Sequence, residues 1–259
     1  MQKRTPKTLA KPVGIPRGVF PMRINKYLAW KNLCTRREAD GYIEKGQVLL
    51  NGKRAVLGDK VHEGDTVETR FRTRQYKYFA YNKPRGIITH SAEENQIQGT
   101  AKGDKNTRVK DIKEVVPVAG VFPIGRLDKD SSGLMILTDD GRLTDKLLNP
   151  DFVHEKEYVV RVKENLQSNF ARRMEAGVNI EGYETRPCKV VVLGENKFSI
   201  TLTEGKKHQI RRMCAALGYV VSSLERRRIM NITLGKLKPG EHRALSGKEL
   251  SDFLKALGF

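Results

Sequence analysis

Short apolar runs separated by polar turns recur along most of the chain, and they predict strands joined by hairpins. Val118–Ile124 and Leu134–Leu137 are mostly aliphatic and bounded by glycine, which is typical of two buried strands. Glu157–Val162 predicts a further strand, and Cys188–Leu193 with Lys197–Thr203 predicts a hairpin around a glycine-containing turn. We therefore expect an α+β fold with a mainly antiparallel sheet.

Apolar residues at helical spacing predict helices between these strands. Thr35-Arg36-Arg37-Glu38 has the pattern of a capping box, which begins a helix that Gly46 ends, and Ser246-Gly247-Lys248-Glu249 has the same pattern before the last helix. A short helix is expected over Arg142–Leu148. The predicted inward faces are Ile24, Tyr27 and Leu28; Ala39, Tyr42 and Ile43; Leu166, Phe170 and Met174; Ile210, Met213, Cys214 and Leu217; and Leu250, Phe253, Leu254 and Leu257.

Changes in composition divide the chain into a small and a large domain. An Asn51-Gly52 turn closes a hairpin after two helices, which makes the first domain a compact unit. The predicted divisions are a basic disordered arm at 1–21, a small domain at 22–68, a basic linker at 69–77, and a large domain at 78–259 with a mobile polar loop at 90–108. The linker residues suit RNA contact or, alternatively, continue the last strand of the small domain.

The charge of the chain indicates a polyanionic partner. Its 259 residues contain 49 Lys and Arg against 30 Asp and Glu, a formal charge of +19. No apolar run approaches the ~18 residues of a membrane-spanning helix, so nucleic acid is favoured over a membrane. The three cysteines, Cys34, Cys188 and Cys214, lack the spacing of a disulfide framework or zinc site, which favours a reducing cytoplasm.

The turn between the first two predicted strands carries the strongest candidate for chemistry. Asp128 lies in Gly125-Arg126-Leu127-Asp128-Lys129-Asp130-Ser131-Ser132-Gly133-Leu134, with a buried strand on each side. Rigid flanks of this kind can aim one carboxylate into a cleft. The alternative is that these are ordinary hairpin-turn residues.

This decapeptide resembles the signature of pseudouridine synthases of the RsuA and RluA superfamily, and further resemblances follow in the family's order. Within that superfamily the chain is most similar to the RluF branch, whose members modify large-subunit ribosomal RNA. The other matching segments are Asn82-Lys83-Pro84-Arg85-Gly86, His154-Glu155-Lys156-Glu157-Tyr158, Gly205-Lys206-Lys207-His208-Gln209-Ile210-Arg211-Arg212-Met213, and Leu224 through Leu245. His242 departs from the pattern, because an aromatic residue is common at that place.

The resemblance implies an isomerase that needs no cofactor. It assigns the essential carboxylate to Asp128, which could either attack the anomeric carbon or remove the ribose 2′ proton. Asp130 could in principle supply the second acid of a hydrolytic glycosidase, although the family motif gives that position no such role. His154 and His208 lack the ligand spacing of a metal site.

The resemblance also assigns the residues that surround Asp128. Arg211 is expected to pair with its carboxylate, or else to bind phosphate. Tyr158 is expected to stack on the uracil, or else to belong to the core, and Arg126 to replace the extruded uridine, or else to contact phosphate at the surface. Ile210 would pack against the base, and Lys83 and Arg85 of the first motif complete the expected substrate-binding set.

The small domain resembles an S4 RNA-binding module, and Arg36, Arg37, Lys53 and Arg54 are its candidate RNA contacts, although the arginine pair also suits a solvated helix start. We expect a cytoplasmic monomer that acts on a structured hairpin or bulge of ribosomal RNA. The alternatives are a catalytically silent ribosome-assembly factor, a synthase for small-subunit ribosomal RNA, and a hydrolase that removes bases from RNA.

Overall fold

The protein forms two compact units. The computed structural model describes residues 7–8, 20–72, 74–89, 112–116, 118–149 and 151–259. One unit comprises the chain up to Tyr76 with Asp140–Leu143, and the other comprises Lys77–Asp139 and Thr144–Phe259. The loop expected at 90–108 lies outside the described residues, as does most of the arm expected at 1–21.

The first unit packs two helices against short strands. Its elements are β1 (Lys7–Thr8), β2 (Met22–Arg23), α1 (Ile24–Trp30), α2 (Arg36–Glu44), β3 (Val48–Leu50), β4 (Lys53–Arg54), β5 (Lys60–Val61) and β6 (Val67–Thr69). The strands form one sheet in the order β1-β6-β3-β4 and a β2-β5 pair. The Thr35 hydroxyl accepts the Glu38 N–H at 3.3 Å, and Glu38 Oε2 accepts the Thr35 N–H at 2.8 Å, which confirms the first capping box.

Two short pairings complete this unit. Asn51 and Gly52 both have positive φ, 51° and 76°, as a tight two-residue hairpin between β3 and β4 requires. Lys7–Thr8 pairs antiparallel with β6.

The rest of the chain builds a larger sheet with helices around it. Its strands are β7 (Tyr78–Lys83), β8 (Phe122–Ile124), β9 (Ser132–Thr138), β10 (Lys156–Val162), β11 (Asn179–Ile180), β12 (Tyr183–Glu184), β13 (Lys189–Gly194), β14 (Lys197–Leu202), β15 (Val221–Ile229), β16 (Ile232–Thr233) and β17 (His242–Ala244). Its helices are α3 (Ile112–Val115), α4 (Arg142–Leu148), α5 (Phe170–Glu175), α6 (Gln209–Ala216) and α7 (Gly247–Ala256). Within the described ranges, no helix has the length and apolar character needed to cross a membrane.

The sheet order confirms the predicted α+β class. The strands run β13-β14-β10-β15-β9-β7-β17, with β8 paired to β9 and β16 to β15. All described pairs in this sheet are antiparallel except β9 with β15. The sequence pattern did not predict β15, which lies between β10 and β9. Ser223 and the charged run 225–228 do not follow the apolar pattern typical of a buried strand.

Two further predictions need correction. Strand β8 is shorter than the expected Val118–Ile124, because Gly120 turns the chain with a φ of +79°. The capping box expected at Ser246 does not form, since Ser246 makes no side-chain capping bond. The Glu249 carboxylate instead accepts two hydrogen bonds from Arg243, at 2.6 and 2.7 Å.

Candidate active site

The polar turn between β8 and β9 presents Asp128 from a rigid base. The two strands pair in register from Phe122 with Thr138 to Ile124 with Ile136, so the turn is held at both ends. Within it the Ser131 N–H donates to the Asp128 carbonyl at 3.0 Å. The Asp128 side chain keeps 40% of its surface exposed, so it remains accessible to a substrate.

Lys83 anchors the Asp128 turn from the protein interior. It is fully buried at the end of β7, and its ammonium donates to the carbonyls of Pro84, Asp128 and Ser131 at 3.1, 3.2 and 2.9 Å. Burial lowers the pKa of Lys83 to about 8, against the opposing effect of the Asp128 carboxylate. In this structure Lys83 uses its donors on the main chain and its side chain is buried, so it supports the turn, and its expected role in substrate binding stays a prediction.

Arg85 lies on the exposed side of the same turn. Its Nε is 3.8 Å from Asp130 Oδ1, and 59% of its side chain is exposed. The pairing supports the interpretation of Asp130 as a locally paired turn residue and leaves Arg85 accessible to RNA.

Arg211, at the start of α6, also binds the main chain of the Asp128 turn. Its guanidinium donates to the Asp130 carbonyl at 3.2 Å, to Ser131 Oγ at 3.5 Å and to the Val221 carbonyl at 3.4 Å. Among the described ion pairs, Asp128 pairs with His208 Nε2 at 3.4 Å and not with Arg211. The expected Arg211–Asp128 pair is thus absent here, because Arg211 meets the turn at Asp130.

Tyr158 lies where two apolar clusters meet. One cluster contains Leu127, next to Asp128, and the other contains Ile210, and the partly buried Tyr158 packs against both. Ile210 is itself only 4% exposed. Tyr158 thus joins the apolar cluster that contains Leu127, the neighbour of the candidate carboxylate, to the cluster that contains Ile210.

Arg126 differs from these residues because it is exposed. Its neighbour Leu127 is anchored on both sides, since the Thr89 hydroxyl donates to the Leu127 carbonyl at 3.0 Å and accepts its N–H at 3.3 Å. Within the described part of the chain, no hydrogen bond or ion pair holds the Arg126 guanidinium. The anchored main chain leaves this cation available to a nucleic acid.

A network around Glu204, which the sequence reasoning missed, fixes the approach to α6. Glu204 accepts hydrogen bonds from Gln209 Nε2 and the Tyr183 hydroxyl, both at 2.6 Å, and from the Arg186 N–H at 3.0 Å. Burial alone would raise the pKa of Glu204, but these hydrogen bonds hold it below its usual value. The sequence signal that could have indicated this network is Gln209, an uncharged polar residue among the cations of its motif.

The candidate RNA contacts of the first unit share one property, exposure to solvent. Arg36 and Arg37 lie in the first turn of α2, and Lys53 and Arg54 form β4. None of the four is buried. His154, which could have suggested a metal site, instead places Nε2 2.9 Å from the Lys146 carbonyl and stacks on Phe152.

Two family profiles match the chain. The profile described as RNA pseudouridylate synthase matches residues 77–216, and the S4 domain profile matches residues 22–67. A solved structure described as a pseudouridylate synthase superposes with a TM-score of 0.62 at 27% identity, covering 91% of this chain and 99% of the other.

Curated relatives extend the similarity over most of the chain. The dual-specificity RNA pseudouridine synthase RluF of Escherichia coli K12 is 43% identical over 244 residues, covering 91% of this chain and 79% of the relative. The ribosomal large subunit pseudouridine synthase B of Bacillus subtilis is 34% identical, covering 88% and 93%. An uncharacterised RNA pseudouridine synthase of Aquifex aeolicus is 35% identical, covering 93% and 96%.

Proposed function

The chain belongs to the RNA pseudouridylate synthase family, with an S4 domain ahead of the synthase domain, and we propose that it isomerises a uridine in large-subunit ribosomal RNA. The observation that carries the proposal is the partly exposed Asp128 carboxylate on an anchored turn, next to Leu127 of the apolar cluster against which Tyr158 packs. The large-subunit assignment rests on the named function of the Bacillus relative and on the similarity to RluF.

In this reaction the bond between uracil N1 and ribose C1′ breaks, the base turns in the site, and C5 bonds to C1′. N1 gains a proton and C5 loses one, so no redox partner is required. Asp128 acts at the ribose, either as nucleophile on C1′ or as base toward the 2′ proton. Tyr158 stacks on the base while it turns, and Ile210 closes the opposite side.

The base must leave its helix or loop before it can reach Asp128. Arg126 can fill the space that the extruded base leaves, because a planar, exposed cation can stack on bases and bind phosphate at the same time. Arg85 and Arg211 then face the backbone around the target. Extrusion costs a few kcal/mol and least where pairing is imperfect, so we assign the substrate to a hairpin loop or bulge.

The first unit adds a second contact with the same RNA. Its exposed cations Arg36, Arg37, Lys53 and Arg54 neutralise phosphates away from the target base. We assign the protein to the cytoplasm as a monomer that acts on free RNA or an assembly intermediate, before the target is buried in the finished subunit.

A panel of RNA substrates tests the assignment. Purified protein is incubated with naked large-subunit RNA, small-subunit RNA, transfer RNA and intact large subunits, each labelled with tritium at uracil C5, and tritium release and free uracil are measured. We expect release from naked large-subunit RNA without free uracil. Preferential modification of transfer or small-subunit RNA would contradict the substrate assignment, and free uracil would identify a hydrolase.

A further inference from the structure

His208 lies within ion-pair distance of Asp128. Its Nε2 lies 3.4 Å from Asp128 Oδ1, and both side chains are only partly exposed, 50% for His208 and 40% for Asp128. No other side chain in the described part of the chain makes an ion pair or hydrogen bond with this carboxylate. His208 is therefore placed to orient the carboxylate.

The backbone at His208 is adapted to make this contact. His208 has a φ of +52° and a ψ of +27°, the left-handed conformation, and directly precedes α6. A side chain other than glycine adopts this conformation at an energetic cost, and such residues concentrate at functional sites. The surrounding chain enforces it, since Gln209 on one side is bound to both Glu204 and the Lys206 N–H.

We propose that His208 is a positioning residue, which orients the Asp128 carboxylate through the polar contact between its Nε2 and Oδ1. The proposal rests on Asp128 being the catalytic group of the proposed function. Imidazole is suited to this task, because a ring nitrogen that carries a hydrogen can point it at a carboxylate oxygen.

Two substitutions separate the polar contact from the rest of the side chain. His208→Gln can place an amide donor near the position of Nε2, whereas His208→Gly removes the side chain and suits the left-handed backbone. His242→Gln is the matched control, because His242 is an exposed histidine on β17, where it contacts the Phe79 ring. Each variant is assayed for tritium release from naked large-subunit RNA at pH 7, with kcat and KM determined separately.

We expect His208→Gly to lower kcat at pH 7 about 10-fold, the effect of removing one polar contact with a charged group at a partly exposed site, with KM within twofold. His208→Gln should recover most of that loss. His242→Gln should match the parent.

Three results would overturn the proposal: a kcat of His208→Gly equal to that of the parent, an effect confined to KM, or a loss in His208→Gly that His208→Gln does not recover. Asp128→Asn and the parent are measured alongside. An inactive parent, or an active Asp128→Asn, would defeat the proposed function itself, whereas an active parent with an inactive Asp128→Asn leaves His208 alone under test.

Discussion

Replacing Gly133 with alanine should destabilise the synthase domain by forcing two central strands apart. Gly133 lies on β9 opposite Arg226 of β15, in the parallel pair of the sheet, and its φ is +107°. A methyl group there would lie 2.6 Å from the Arg226 main-chain nitrogen and closer still to its carbonyl oxygen. Because both contacts are with main-chain atoms, no side-chain rotation can relieve them.

The cost can be worked out from two contributions. A residue other than glycine at such a φ costs about 1–3 kcal/mol. Separating β9 from β15 also weakens main-chain hydrogen bonds worth about 1 kcal/mol each. We therefore expect Gly133→Ala to lower the free energy of unfolding by about 3 kcal/mol or more, which for a domain of this size lowers Tm by roughly 6–12 °C.

Scanning calorimetry measures the effect, and Trp30 helps to assign the transitions. Trp30 is the single tryptophan and lies in the first unit, so its fluorescence identifies the transition of that unit. Gly194→Ala is the matched control, because Gly194 has no positive φ and a methyl group there would meet nothing within 4 Å. A Tm of Gly133→Ala within about 2 °C of the control would refute the close approach of the two strands.

Two further predictions concern the buried ammonium and the exposed cations. As the pH is raised from 8 to 10.5, the stability of the parent relative to Lys83→Met should rise. The reason is that unfolded Lys83 keeps its proton up to its ordinary pKa near 10.5, whereas folded Lys83 releases it near 8. Urea denaturation at several pH values measures the difference in stability, and a falling or flat difference would contradict the prediction. Replacing Arg36, Arg37, Lys53 and Arg54 with alanine should weaken RNA binding. The slope of log binding constant against log salt concentration should fall in magnitude by roughly 0.7–0.9 for each phosphate that the protein no longer neutralises, which filter binding measures. An unchanged slope would mean that these residues do not touch RNA.

The elements that the sequence predicted are those whose local signals agree with their surroundings. Thr35 and Glu38 form their capping box, and the Asn51-Gly52 hairpin has the expected positive φ values. Helix α4 spans the expected Arg142–Leu148. In these places residues near in sequence provide the partners, so the pattern contains the necessary information.

The predictions that failed depended on partners far away in the sequence or on competing neighbours. Strand β15 has a polar sequence, and its place between β10 and β9 comes from tertiary pairing. At the last helix, Glu249 binds Arg243 and not the helix start. The pattern of apolar and capping residues cannot reveal either competitor.

The candidate site shows the same division. The motifs correctly brought the Asp128 turn, Tyr158 and the start of α6 into one region, as their packing and hydrogen bonds show. The motifs did not indicate which of their side chains reach the Asp128 carboxylate. Lys83 is buried beneath the turn, whereas His208 reaches Asp128. These positions are set by the fold and by the left-handed backbone at residue 208.

The central claim is that Asp128 performs the chemistry, and one comparison tests it most directly. Parent and Asp128→Asn proteins are incubated with naked large-subunit RNA labelled with tritium at uracil C5, and RNA affinity is measured in parallel. We predict that Asp128→Asn abolishes tritium release while its affinity stays nearly unchanged, because the amide keeps the shape of the side chain but loses the nucleophile or base. Turnover by Asp128→Asn within tenfold of the parent would contradict the account.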